Sequence, residues 1–192
     1  MKTTRLVLLA SLLAAMIYAV GQALAGIPNV ELVTTLSFLS GYLLGPAWGA
    51  VVGAAGMGAH SLFNVMGTVA PPVWLAQVGC FALIGCAGGI VGPAIARTRA
   101  RVRAALFAAF IGVALVVIYQ LAVNSVAFYT FTNDVPVWTY VWGGIVFGTV
   151  QVAWNAVVFG VAVPPTLRVL ARYRRELGNA PADIDNHRGN AP

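Results

Sequence analysis

The eleven basic residues of this 192-residue chain sit in three places only. Lys2 and Arg5 precede the first long apolar run, and Arg97, Arg99, Arg101 and Arg103 separate the fourth run from the fifth. Arg168, Arg172, Arg174, Arg175 and Arg188 follow the sixth. Lys and Arg next to apolar spans mark the cytoplasmic side of a membrane. If the apolar runs are six helices, every basic residue falls on one side. The sequence therefore predicts an all-α, polytopic membrane protein with six transmembrane helices and both termini cytoplasmic, in a cell membrane of the prokaryotic type. The connections after the first, third and fifth runs face outward and carry no Lys or Arg.

Composition supports this reading. Charged residues make up 8% of the chain, and the mean hydropathy is +0.87, whereas a soluble domain carries about 25% charge. Six spans of about 20 residues use most of the length, leaving one membrane domain over 1–175 and a polar tail over 176–192 that reads as disordered. The net charge of +6 is explained by topology. No basic stripe with interleaved aromatics points to nucleic acid. Cys80 and Cys86 are six apart, on different faces of one helix, and read as packing residues rather than a disulfide or metal pair. The start of the chain has signal-peptide features ending in Ala23-Leu24-Ala25. Its apolar run is long for a signal sequence, however, and Tyr18 and Gln22 interrupt it, so a retained helix is expected.

The spans are expected at 6–24, 31–44, 46–66, 73–96, 104–129 and 137–163. Gly26-Ile27-Pro28-Asn29 breaks the first from the second. Gly45-Pro46 ends the second and starts the third, and Pro164-Pro165 marks the exit of the sixth, with a basic helical tail to Arg175. Gly41, Gly45, Gly49 and Gly53 recur every fourth position, as do small residues where helices approach closely in lipid.

Polar side chains inside these spans carry the functional reading. Tyr18 and Gln22, His60 and Asn64, and Gln151 and Asn155 are spaced i, i+4. Trp74 and Gln77 are spaced i, i+3, while Gln120, Asn124 and Phe128 form one stripe, with Tyr129 at the rim. Residues at these spacings share a helix face. Polar groups in hydrocarbon must face partners, so these faces point into the bundle. Either they hydrogen-bond helix to helix or they line a pocket. Their concentration in the outer half of four segments favours an outward-opening pocket, with Trp138 as a further lid or stacking residue and Asn29 and Glu31 at its boundary. A set rich in amides and aromatics suits a neutral or amphipathic ring-bearing solute. The absence of Lys and Arg from the outer half argues against a strongly anionic one. On the first segment, Ala10, Ala14, Ala15 and Ala19 form small-xxx-small patterns that could receive another helix.

Several mechanisms lack their sequence signatures. There is no phosphate-binding loop for ATP and no zinc-protease or serine-hydrolase motif. There is also no chain of embedded carboxylates for proton pumping and no inverted pair of broken helices. An enzyme is not expected, and neither is a cofactor or metal. His60 without a paired nucleophile leaves an intramembrane enzyme as a minor alternative.

The stretch Pro28-Asn29-Val30-Glu31-Leu32-Val33-Thr34, followed by Leu43-Leu44-Gly45-Pro46-Ala47-Trp48-Gly49-Ala50 and Gly53, resembles the substrate-binding S component of energy-coupling factor (ECF) vitamin transporters. The resemblance covers about residues 6–170. It implies a six-helix fold with an outward pocket covered by the outer loops. It further implies a transmembrane scaffold subunit that docks on the small residues of the first helix, at Ala10, Ala14 and Ala15, and through that scaffold two cytosolic ATPases. The expected function is high-affinity capture of a vitamin or vitamin precursor. The alternative is a solitary oligomeric carrier or channel for a small solute.

Overall fold

A computed structural model describes residues 2–131 and 135–177. The tail from 178 and the tip of the connection at 132–134 lie outside the described residues, and so does the expectation of a disordered tail. The described chain is all-helical. The helices are α1 (Lys2–Leu24), α2 (Val33–Leu44), α3 (Pro46–Leu62), α4 (Pro71–Arg97), α5 (Arg101–Phe131), α6 (Val137–Phe147), α7 (Thr149–Val161) and α8 (Val163–Glu176). Three of them, α1, α4 and α5, are long and apolar enough to cross a membrane, and a fourth span is reached if α6 and α7 count as one bent helix. At 12 and 17 residues, α2 and α3 are shorter than the roughly 20 residues that a span usually takes.

Local chemistry sets the helix ends. Gly45 takes φ +93° between α2 and α3, a conformation glycine adopts without steric cost, and Pro46 then occupies the first turn of α3. Pro71 opens α4 in the same way. The last four residues expected in the third span form a turn instead. There Asn64 Oδ1 accepts the Met66 N–H at 2.8 Å, and Gly67 takes φ +108°. Two further expectations need correcting. The sixth segment is not one helix: α6 and α7 diverge by 44° around Gly148, where a Cβ would overlap the Gln120 amide. Pro164-Pro165 does not end a helix but begins α8, because proline needs no N–H partner in a first turn.

A seam of glycines holds α2, α3 and α4 together. A Cβ on Gly41 or Gly49 would collide with the Gly85 carbonyl. One on Gly53 would meet the Phe81 carbonyl, and one on Gly88 the Phe38 carbonyl. In the four-residue glycine series, Gly41, Gly49 and Gly53 therefore serve helix contact and Gly45 serves the turn. Such contact supplies dispersion energy where lipid offers no hydrophobic drive between helices. Phe38 meets Phe159 edge-on at 5.3 Å and ties α2 to α7. Phe81 meets Tyr119 edge-on at 5.6 Å and ties α4 to α5.

The two ends of the bundle differ in charge. Arg168 Nη2 donates to the Thr98 carbonyl at 3.3 Å, which joins the α4–α5 arginine turn to α8. Arg174 is buried and stacks over the Tyr42 ring at 4.7 Å, bringing the end of α2 to the same place. Along α8, Val163 and Leu167 are buried while Arg168, Arg172 and Arg175 are exposed. Near the α5–α6 connection, Tyr129, Phe131, Trp138 and Trp142 are exposed, an arrangement typical of aromatic belts at membrane interfaces.

Candidate solute cavity

A cavity of about 260 Å³ opens between the last turns of α1 and α3, the middle of α4 and α5, and the first turn of α7. The α1–α2 connection supplies one wall through Ile27, Pro28, Asn29, Val30 and Glu31. That connection is a tight irregular turn. Ile27 N–H bonds back to the Leu24 carbonyl at 2.9 Å, and Asn29 sits at φ +63°, which asparagine tolerates better than most residues. Gly21 leaves room on α1 for the facing ring, since a Cβ there would come within 2.6 Å of His60 Nδ1.

Glu31 is the most firmly placed polar group in the wall. Its Oε2 accepts the Thr34 N–H at 2.9 Å, which caps the start of α2. Its Oε1 accepts Asn155 Nδ2 at 2.7 Å, and its backbone carbonyl accepts Trp154 Nε1 at 2.7 Å. Asn155 is fully buried and also donates to the Gln151 carbonyl at 3.0 Å, so α7 anchors the residue from two sides. The described wall contains no Lys or Arg. An anionic side chain thus faces a cavity that offers it no cation.

His60 lies across the cavity. Asn64 Nδ2 lies 3.3 Å from its Nε2 and Gln22 Nε2 lies 3.4 Å from its Nδ1, and a neutral imidazole accepts through only one of those nitrogens. Gln22 sits behind the ring. Its Nε2 donates to the carbonyls of Phe63 at 3.0 Å and His60 at 3.3 Å, and its Oε1 accepts the Val65 N–H at 3.2 Å. Gln22 therefore fastens the end of α1 to the end of α3. Ser61 turns away from His60 and donates to Gln77 Oε1 at 2.7 Å, and Gln77 Nε2 donates to the Tyr119 hydroxyl at 3.4 Å.

The structure thus separates the residues expected at the site into groups. Asn29, Glu31, His60, Asn64 and Gln151 line the cavity. Gln22, Gln77 and Asn155 stand one layer behind and hold lining residues by the bonds given above. Gln120 Nε2 donates to Gln151 Oε1 at 2.7 Å, and Asn124 Nδ2 donates to Gln120 Oε1 at 3.2 Å. Those two amides lie against Gly148 and Gly144 and fasten α5 to the broken α6–α7. Trp74 Nε1 donates to the Gly58 carbonyl at 3.0 Å and ties α4 to α3. Phe128, Tyr129 and Tyr140 form an aromatic cluster that does not reach the cavity. Tyr18 and Trp138 do not line it either, and Trp138 is 69% exposed.

Tyr119, Phe81, Met57 and Met66 belong to the wall but escape a search for polar i, i+4 pairs. Tyr119 had a detectable signal, an aromatic hydroxyl next to the Gln120 stripe. The described residues contain no group of three or more His, Cys, Asp or Glu that could hold a metal.

The small residues of α1 also divide. Ala10 is 6% exposed and turned into the core, and half-buried Ala14 packs against it. Ala10 presents no open surface to another subunit, and Ala14 presents only part of one. Ala15 is exposed, on a face with Leu8, Ser11, Leu12 and Ala19. The spacing Ser11, Ala15, Ala19 keeps the small-xxx-small pattern there.

Compared with known protein families, characterised proteins and solved structures, the chain matches none.

Proposed function

We propose that this chain is the solute-capture subunit of an ECF-type, ATP-driven importer for a vitamin or vitamin precursor. In this reading it crosses the bilayer six times, with both termini and the arginine end in the cytoplasm. The observation that carries the reading is the cavity: a space with polar groups in its wall, formed at the ends of α1 and α3 away from the arginines, and lined from six helices and a connecting turn. A dry cavity of about 150 Å³ holds benzene, so 260 Å³ suits a compact ring system. The lone carboxylate of Glu31 in the described wall favours a solute that presents a cationic or donor-rich group. Within the expectation of a neutral or amphipathic solute, this moves the weight to the amphipathic kind, with Glu31 in the wall rather than only at its boundary. The exposed Ser11–Ala15–Ala19 face of α1 is the surface offered to a transmembrane scaffold, which brings two cytosolic ATPases.

Orientation is tested by cysteine labelling in a background without Cys80 and Cys86. A cysteine at Val65 should react in intact cells, and one at Ala100 only after permeabilisation. The reverse pattern would place the cavity on the cytoplasmic side.

Coupling is tested at Ala15. Ala15→Trp adds bulk where two helices must approach closely, and overpacking commonly costs about 1–3 kcal/mol. The variant should retain solute during purification, as read by native mass spectrometry, yet fail to co-purify with scaffold and ATPases and lose ATP-driven uptake. Normal assembly and uptake with Ala15→Trp would remove this face as the docking surface. Uptake by the chain alone in ATP-free liposomes would favour the solitary carrier instead.

A further inference from the structure

A second hollow, of about 380 Å³, lies at the arginine end between the start of α5, the end of α7 and the start of α8. Arg101 and Arg168 stand in its wall, and the rest is apolar: Ala105, Gly160, Val161, Pro164 and Pro165. We propose that this crevice binds one anionic phospholipid, with its phosphate between Arg101 and Arg168 and an acyl chain along α7. The proposal rests on the arginine end lying at a membrane surface and is independent of what the first cavity carries.

Three features converge on this occupant. First, among the described side chains no carboxylate neutralises the two guanidiniums. Glu31 is the one carboxylate in that set, and it belongs to the other cavity. Arg168 spends one N–H on the Thr98 carbonyl, and a guanidinium has five, so donors remain beside the crevice. Guanidinium groups suit phosphate because their paired N–H groups match two of its oxygens.

Second, the floor is not a phosphate site alone. Pro164 and Pro165 have no N–H to offer an anion, and Ala105, Gly160 and Val161 have no polar side chain. A free phosphate would leave that surface wet, whereas a lipid covers it. Third, the apolar wall continues. Val157 and Val161 are both exposed and lie four residues apart on one face of α7, a track leading from the crevice along the helix. Basic hollows between helices on the cytoplasmic side are where anionic headgroups bind.

The test uses the delipidated full chain in detergent, titrated with phosphatidylglycerol, phosphatidylcholine or inorganic phosphate and read by native mass spectrometry. One phosphatidylglycerol adduct should persist at activation energies that strip phosphatidylcholine. Arg101→Gln with Arg168→Gln should weaken that adduct about tenfold or more, because each surface cation contributes roughly fivefold to attraction for anionic lipid. Arg99→Gln with Arg172→Gln, which removes two charges outside the crevice, should weaken it clearly less than the crevice pair does. All four arginines are exposed, and unchanged melting temperatures confirm that both variants fold. Equal losses in the two double variants would show general attraction to a basic surface and overturn the proposal. So would displacement of the lipid by inorganic phosphate, or phosphatidylcholine binding as tightly as phosphatidylglycerol.

Discussion

Gly85→Ala is expected to lower the melting temperature of the detergent-solubilised protein by about 4–12 °C, while Gly79→Ala on the same helix leaves it unchanged or slightly higher. The first figure follows from an overpacking cost of about 2–3 kcal/mol or more and a shift of roughly 2–4 °C per kcal/mol for a chain of this size. A methyl on Gly85 runs into the Gly49 carbonyl oxygen and lies 3.1 Å from the Ala50 nitrogen. These are backbone atoms of α3, so no side-chain rotation relieves the clash. The helices must separate, and Gly41, which lies against the same Gly85 carbonyl, transmits that separation to α2. At Gly79 nothing lies within 4 Å of the added Cβ, and alanine is the better helix former. The pair therefore holds helix propensity constant and varies only the space available. Equal melting temperatures would mean that α3 and α4 do not meet as closely as described.

The seam was legible in the sequence as a spacing, because glycine every fourth residue has few other uses inside an apolar helix. What each glycine does was not. Gly45 continues the series numerically yet is the turn, and Pro46 directly after it is the clue. The break at Gly148 was hidden for a related reason. Gly143, Gly144 and Gly148 read equally well as packing positions, and only the Gln120 amide pressed against Gly148 shows that a side chain from α5 occupies the gap.

The cavity was legible in part, for a definable reason. An amide pair at i, i+4 reveals which helix face points inward, but not whether that face meets a cavity or another helix. His60 and Asn64 meet the cavity. Gln120 and Asn124, with the same pattern, meet a neighbouring helix. The alanines of α1 pose the same problem in reverse, since small residues occur both where a helix enters a core and where it awaits a partner. Ala10 and Ala15 are five positions apart, so they fall on different sides of α1.

On the proposed capture of a solute in the first cavity, Glu31→Gln is expected to weaken that binding by about 10- to 150-fold. The range corresponds to about 1.5–3 kcal/mol for a hydrogen bond to a charged group, with tenfold per 1.4 kcal/mol. The substitution removes charge with little change of shape. The remaining side-chain oxygen can still accept the Thr34 N–H, but the new NH2 group faces Asn155 Nδ2, a donor against a donor. Asn155 has an answer: its Oδ1 is buried without a hydrogen-bond partner, so a flip of the amide presents an acceptor to the introduced nitrogen at the expense of the bond to the Gln151 carbonyl. The flip leaves Asn155 Nδ2 buried where its oxygen had no partner, a cost of about 1–3 kcal/mol, so the variant should fold and melt about 2–12 °C below the parent. The measurement is the occupancy of the co-purified solute by native mass spectrometry, together with the melting temperature of the solute-free protein. Full occupancy in Glu31→Gln would show that the carboxylate only caps α2 and anchors α7, and that the solute is read by the neutral groups of the wall. Loss of occupancy with a melting temperature inside that window is the outcome that assigns Glu31's charge to the solute.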